Sequence, residues 1–176
     1  MMIRLPALLV LGLLAACSSP KPAADNSAQA QADTAALPVV ISTAKGGHRF
    51  DVEVAATPQE QEKGLMFRKE LAADGGMLFP MDPPRTASFW MKDTLIPLDM
   101  LFIHTDGTIA FLKANAEPYS RIPVSAGIPV AAVLELRGGR AAELGIAEGD
   151  VVHWGGCAVP GGKVTTDRNF CPAAPR

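Results

Sequence analysis

Proline and glycine cut the chain between Leu37 and Trp154 into short apolar runs, and no helical period lasts beyond about two turns. Such a chain folds through strands. Leu37–Thr43 is β-branched and short, and Pro38 suits an edge strand. After the Lys45-Gly46-Gly47 turn, Phe50, Val52 and Val54 alternate with Asp51, Glu53 and Ala55, a second strand with one buried face. Met77–Phe79 is a buried strand stopped by Pro80, and Asp82-Pro83-Pro84-Arg85 reads as a rigid loop of polyproline type. Asp99–His104 and Thr108–Leu112 flank the hairpin signal Asp106-Gly107. Pro129–Leu136 and Val151–Trp154 supply the remaining strands. Two short helices interrupt this pattern. The first opens with Thr57 as cap, Pro58 at the first position and Glu60 closing a capping box, and it ends at Gly64. The second covers Arg140 to Leu144 and stops at Gly145.

The densest chemistry lies in Phe89-Trp90-Met91-Lys92-Asp93-Thr94 and the following Ile96-Pro97-Leu98-Asp99, which hold one of the two tryptophans. Alternation predicts a strand with Ala87, Phe89 and Met91 on one face and Ser88, Trp90 and Lys92 on the other. Pro97 excludes a central-strand position and predicts a turn between Thr94 and Leu98. Either this strand end is a binding rim, or Trp90 packs in the core and Lys92 pairs with Asp93 or Glu135 as scaffold. From Asn115 through Ile128, with Pro118 and Pro123, no regular element is evident. A loop of that length in a compact domain is commonly functional.

The N-terminus reads as an export signal. Arg4 precedes an apolar run from Leu5 to Leu14, too short to span a bilayer, and Leu14-Ala15-Ala16-Cys17 closes it. The pattern resembles a bacterial lipoprotein signal: residues 1–16 are removed and Cys17 is lipidated. Ser18 and Ser19 follow, with no aspartate, which points by that resemblance to the periplasmic face of the outer membrane. The alternative is a conventional signal cut after Ala16. Residues 17–36 are a flexible tether of Ala, Ser, Gln, Asp and Pro, and 37–154 form one β-rich domain. Without Arg4, 15 basic residues face 18 acidic ones, a net charge of −3. Neither this balance nor export suits a nucleic-acid partner. Residues 155–176 are Gly/Pro-rich and irregular, and Cys157 and Cys171 read as a structural disulfide closing a tail loop in an oxidising compartment.

Several chemistries can be weighed. The mature methionines at 66, 77, 81, 91 and 100 lack metal-motif spacing and read as core. The three histidines lie in separate elements, so no zinc centre is called for. No nucleophile elbow or active-site cysteine appears. Asp93 and Asp99 with Glu135 could divide acid and base work, the basis of an alternative reading as a hydrolase of an envelope polymer or glycan. The leading expectation is a non-catalytic binding module without metal or cofactor. In it Trp90 offers a flat apolar surface, Lys92 and Arg68 neutralise an anion, and Asp93, Asp99 or Glu135 accept hydrogen bonds. Arg68 is equally readable as a surface cation laid over the core edge. The partner would be a small anionic or polar ligand, or another envelope protein.

Four stretches in fixed order carry a resemblance: Thr57-Pro58 through Gly64-Leu65-Met66-Phe67-Arg68, Gly76-Met77-Leu78-Phe79, Phe89 to Thr94, and Ile96-Pro97-Leu98-Asp99, with Val133-Leu134-Glu135-Leu136, Gly138 and Gly149-Asp150 further on. Together they resemble the prokaryotic family known as domain of unknown function 192, over roughly residues 38 to 154. The resemblance implies a compact, mostly β (α+β), barrel-like domain with small helices, often secreted or lipid-anchored. It implies no activity. Where that family commonly reads asparagine, this chain has Asp93. The cysteine-bearing tail lies beyond the matched region.

Overall fold

The computed structural model describes residues 36–158 and 169–170. The chain divides into two units, 1–33 and 34–176. The first unit, with the expected signal and Cys17, lies outside the described residues, as does nearly all of the tether. The second is built from β1 (Leu37–Thr43), β2 (Gly46–Val54), α1 (Pro58–Lys63), β3 (Gly76–Thr86), β4 (Leu98–Ile103), β5 (Ile109–Ala116), β6 (Pro129–Arg137), α2 (Arg140–Leu144) and β7 (Val151–Trp154). Among the described residues no helix is long and apolar enough to cross a membrane.

The strands form one seven-stranded sheet in the order β5-β4-β6-β3-β2-β1-β7. The β2–β3 pair is parallel and the others are antiparallel. This corrects the expected mostly β, barrel-like domain: the fold is mixed α/β and its sheet is not closed. Closure needs a ladder between the two edge strands. β7 has four residues, all of them paired with β1, and toward the β5 end the isolated bridge Thr108–Val151 and the backbone bonds of Gly107 and Ile109 to residues 149–152 make a local contact rather than a strand ladder.

β3 departs from its sequence reading in an instructive way. It does not stop at Pro80 but runs to Thr86, pairing with β6 on both sides of an irregularity between Pro80 and Arg85. Prolines cannot donate to a ladder, so the prolines fall where the pairing is interrupted. The strand expected over 87–91 reduces to a single bridge, Phe89 with Val124. Its alternation nevertheless holds: Ala87 and Met91 are buried, while Ser88 and Trp90 face out.

Two separate cores lie on the sheet. One gathers Val39, Ile41, Phe50, Val52, Leu101, Ile103, Leu134 and Trp154 with Ala141 of α2, and holds no methionine. The other contains Met77, Met81, Met91 and Met100, together with Phe79, Phe102 and Val133, and is covered by residues from non-strand segments such as Leu65 and Ala87. α1 forms as expected. The Glu60 N–H donates to Thr57 Oγ1 at 3.2 Å, and Glu60 Oε2 accepts from the Ala56 and Thr57 N–H groups, each at 2.8 Å.

Candidate functional site

Three irregular segments are clamped together over the methionine-rich core. The Phe67 N–H donates to Asp93 O (2.8 Å), the Tyr119 N–H to Thr94 O (3.2 Å) and the Met91 N–H to Ser120 O (2.9 Å). Phe89 and Val124 exchange both backbone bonds, at 2.9 and 2.8 Å. Beneath them Phe89 meets the rings of Phe79 and Phe102 edge-on, with centroids 4.9 and 6.0 Å apart. Such edge-to-face packing locks an extended segment that lacks a strand ladder. Phe67, Asp93 and Tyr119 have φ of 63°, 52° and 62°. Aspartate tolerates this left-handed region, whereas a bulky aromatic there is strained.

Trp90 is the outward member of this segment, 49% exposed, and the Lys92 Nζ stands 5.6 Å from its ring centroid. That distance is within cation–π range. Beside Trp90 lies an open groove of about 420 Å³, lined among others by Gln61, Met81, Arg85, Ser88 and Phe89. Arg85 reaches across to Gln61, its Nη2 donating to Oε1 at 3.2 Å. Trp90 and Lys92 are thus brought together with Asp93 following in the turn, but neither Arg68 nor Asp99 lines this groove.

Arg68 is engaged elsewhere. Its Nη1 and Nη2 donate to the two carboxylate oxygens of Glu53 at 2.5 and 2.7 Å. This bidentate pairing, opposed in part by burial, holds the guanidinium above its already high pKa. Beside the pair is a smaller cavity of about 130 Å³ that includes Lys63 and Met77.

Asp99 is fully buried and its carboxylate is used up by backbone. Oδ1 accepts from the Asn115 and Gly139 N–H groups at 2.7 and 3.0 Å, and Oδ2 accepts from the Ala141 N–H at 2.8 Å. It therefore ties the β5 end to the first turn of α2, whose free N–H groups need such a partner.

Glu135 is also buried, between Met77 of β3 and Met100 of β4 in the sheet register. Burial pushes its carboxyl up to about 8. Because Glu135 pairs with Met100 while Asp99 pairs with Leu136, these two carboxyl groups point to opposite faces of the sheet.

Comparison with known proteins adds the lineage. The profile of the DUF192 family, described as Uncharacterized ACR, matches residues 40–154. The chain belongs to the DUF192 family. Two crystal structures are similar to it, each with a TM-score of 0.66. One is a candidate transcription regulator from Sinorhizobium meliloti 1021, 43% identical, over 69% of this chain and 95% of that one. The other is a protein of unknown function from Novosphingobium aromaticivorans DSM 12444, 42% identical, over 81% of this chain and 99% of that one. No curated protein matches.

Much of the DUF192 motif is scaffold in this chain. Gly64 has φ 46°, and a Cβ there would lie 3.2 Å from the Phe79 ring. A Cβ on Gly138 would come within 2.7 Å of Pro97 and of Asn115 Oδ1, so that turn closes only around glycine. Arg68 and Asp99 hold the fold as described above. Trp90 and Lys92 are the motif positions that face outward with chemistry to offer.

Sequence reasoning missed Arg85 and the exposed side chains Phe67, Tyr119 and Ile122. The prolines flanking Arg85 and bracketing Tyr119 to Ile122 were the available signal, since they mark rigid loops that can present a side chain. It also missed a contact on the β1–β7 pair, where Ser42 Oγ lies 3.0 Å from His153 Nε2 and partial burial lowers the His153 pKa. A Ser–His pair needs a third group to orient the imidazole, and among the described residues none bonds His153 Nδ1. Among the described residues no cluster of three or more His, Cys, Asp or Glu side chains could hold a metal. Cys157 is in the disulfide-bonded form, and Cys171, its expected partner, lies outside the described residues.

Proposed function

We propose that this DUF192 member is a non-catalytic binding module of the cell envelope, taking a small ligand with a flat apolar part and an anionic or polar group. The observation that carries this reading is Trp90: the one exposed member of the Phe89-Trp90-Met91 triplet, with Lys92 over its ring and a groove bearing Arg85 beside it. Apolar surface with a few convergent polar groups is the usual make-up of a small-molecule site. A small ligand suits the charge better than nucleic acid does, because the chain has 16 basic and 18 acidic residues, and Arg49, Arg68, Arg137 and Arg140 are all in ion pairs. Binding is favoured over hydrolysis because Asp99 is committed to three backbone donors and does not share a sheet face with Glu135. Lipidation at Cys17 and placement on the periplasmic face of the outer membrane are part of this proposal and rest on the sequence.

The test is a fluorescence titration of Trp90 with aromatic carboxylates such as benzoate and indole-3-acetate, and with inorganic phosphate. Binding of an aromatic carboxylate should fall about tenfold or more in Lys92→Met and in Arg85→Met, as expected for loss of a charge-assisted contact, with unfolding unchanged. Affinities indifferent to Lys92→Met and Arg85→Met by fluorescence, and to Trp90→Ser by calorimetry, would remove the groove from the function. Intact mass of the protein from membranes should show a diacylglycerol adduct on Cys17, and its absence would remove the anchor.

A further inference from the structure

Four of the large apolar side chains exposed on the described surface, Phe67 (65%), Trp90 (49%), Tyr119 (60%) and Ile122 (75%), come from the three clamped segments. Two of them, Phe67 and Tyr119, are held in the left-handed region, where a bulky side chain is strained. Exposure and strain are both unfavourable, and the backbone bonds of the clamp hold these side chains outward without covering them. Apolar patches of this kind mark interaction surfaces. We infer that this rim, Phe67, Tyr119 and Ile122 with Trp90 at its border, docks the domain onto a lipid bilayer surface.

The composition fits that occupant. Tryptophan and tyrosine favour the membrane–water interface, where the ring body is apolar and its tip stays wet. Within 65–70, 89–94 and 117–124, the charges outside ion pairs are Lys69, Lys92 and Arg121 against Glu70, Asp93 and Glu117, three of each sign. The rim therefore carries no net charge on a chain of net charge −2, and it meets a headgroup layer without net repulsion. The chain outside the described residues gives the second argument. With Cys17 in the bilayer, as the proposed function has it, residues 18–36 have the length and the Ala, Ser, Gln, Asp and Pro composition for which a linker span of about 25 Å r.m.s. is expected. A tether of that reach keeps the domain at an effective concentration on the order of millimolar at the membrane, so a few inserted side chains suffice. Bilayer docking leaves the groove beside Trp90 at the lipid boundary, where amphipathic ligands concentrate.

The experiment places the full-length protein, as purified from membranes, on vesicles of phosphatidylethanolamine and phosphatidylglycerol in equal parts, with and without bromine on the acyl chains. Trp90 is the reporter. Trp154 is buried and stacked on Phe170, with ring centroids 4.1 Å apart, and a Trp90→Phe variant subtracts its signal. Brominated lipid should quench Trp90, and Phe67→Ser combined with Ile122→Ser should reduce that quenching at least about fivefold, as loss of inserted apolar area requires. Both substituted side chains are exposed, so an unchanged thermal melt serves as the folding control. Absence of quenching in the wild type, with lipid on Cys17 verified by mass, overturns the docking inference and leaves the anchor intact. Quenching that persists in the double variant overturns it too. Quenching in protein lacking lipid upholds the rim while the anchor fails. A wild-type dimer that the double variant dissociates, with no quenching, overturns bilayer docking in favour of self-association.

Discussion

The two faces of the sheet differ in almost every respect that bears on function. On one, aliphatic side chains from the strands pack beneath α2, and the one buried carboxylate, Asp99, has three backbone donors. On the other, four methionines and the edge-to-face Phe79–Phe89–Phe102 cluster lie under irregular segments that expose aromatics and carry two strained backbone positions, Phe67 and Tyr119. Its buried carboxyl, Glu135, sits between thioether side chains. Methionine fills uneven space and tolerates movement above it, whereas β-branched strands specify one packing. The comparison suggests a division of labour in which the aliphatic face holds the fold and the methionine face carries a surface able to adjust.

Four measurements bear on that division. Titration of Glu135 should have the largest effect. Its folded pKa of about 8 exceeds the ordinary 4.5, so the folded state holds this proton more tightly than the unfolded chain does. Stability is then highest below about pH 4.5, declines as pH rises to about 8 and is flat beyond. At about 1.4 kcal/mol per pKa unit the loss is on the order of 5 kcal/mol. Urea unfolding of wild type and Glu135→Gln across that range should show the decline in the former only. Parallel pH profiles would mean that Glu135 is hydrated and that the two faces are electrostatically alike.

Next comes Asp99→Ala, which strands three buried donors at about 1 kcal/mol or more each and should cost about 3 kcal/mol. Asp99→Asn keeps part of the acceptor set and should cost less. Ligand affinity at the groove should hold in folded protein, because Asp99 serves the other face. A loss of binding at full folding would couple the faces and break the comparison.

A smaller effect is expected at the strained rim. Phe67→Gly should be neutral or stabilising by about 0.5 kcal/mol, relief of the positive φ exceeding glycine's entropy cost, whereas Phe67→Ala keeps the strain and gains nothing. Equal melts for the two variants would show that the clamp imposes no strain. The smallest effect is reserved for Trp90→Ser and Lys92→Met, each within about 0.5 kcal/mol of wild type in denaturant unfolding. A larger cost at either would make it scaffold and not site.

The strands and both helices were legible because their signals are local: alternation in Phe50–Val54, the capping box at Thr57 and Glu60, and the Asp106-Gly107 turn. The same alternation set Trp90 and Met91 on opposite faces, and the structure turns Trp90 outward and Met91 inward without a ladder to support them. Proline misled at β3, since a bulge accommodates residues that cannot donate. The candidate site was half legible. Trp90 and Lys92 come together, with Nζ 5.6 Å from the ring centroid, but Arg68, Asp99 and Glu135 looked alike in sequence, each a charge among apolar neighbours. Only their partners separate an ion pair with Glu53, a triple acceptor of backbone N–H groups and a carboxyl buried between Met77 and Met100.

By itself the sequence determined the family, most of the elements and the alternation that sets Trp90 and Met91 on opposite faces, because each depends on neighbours within a few residues or on an ordered motif. Tertiary structure alone decided the open edge order of the sheet, the segregation of methionines to one face, and the gathering of Phe67, Trp90, Tyr119 and Ile122 onto one rim. These depend on pairings across long separations, such as Met77 with Glu135 and Phe67 with Asp93. No local propensity encodes which of many possible distant partners a strand or a backbone N–H will find. That choice is made by the packing of the whole chain at once.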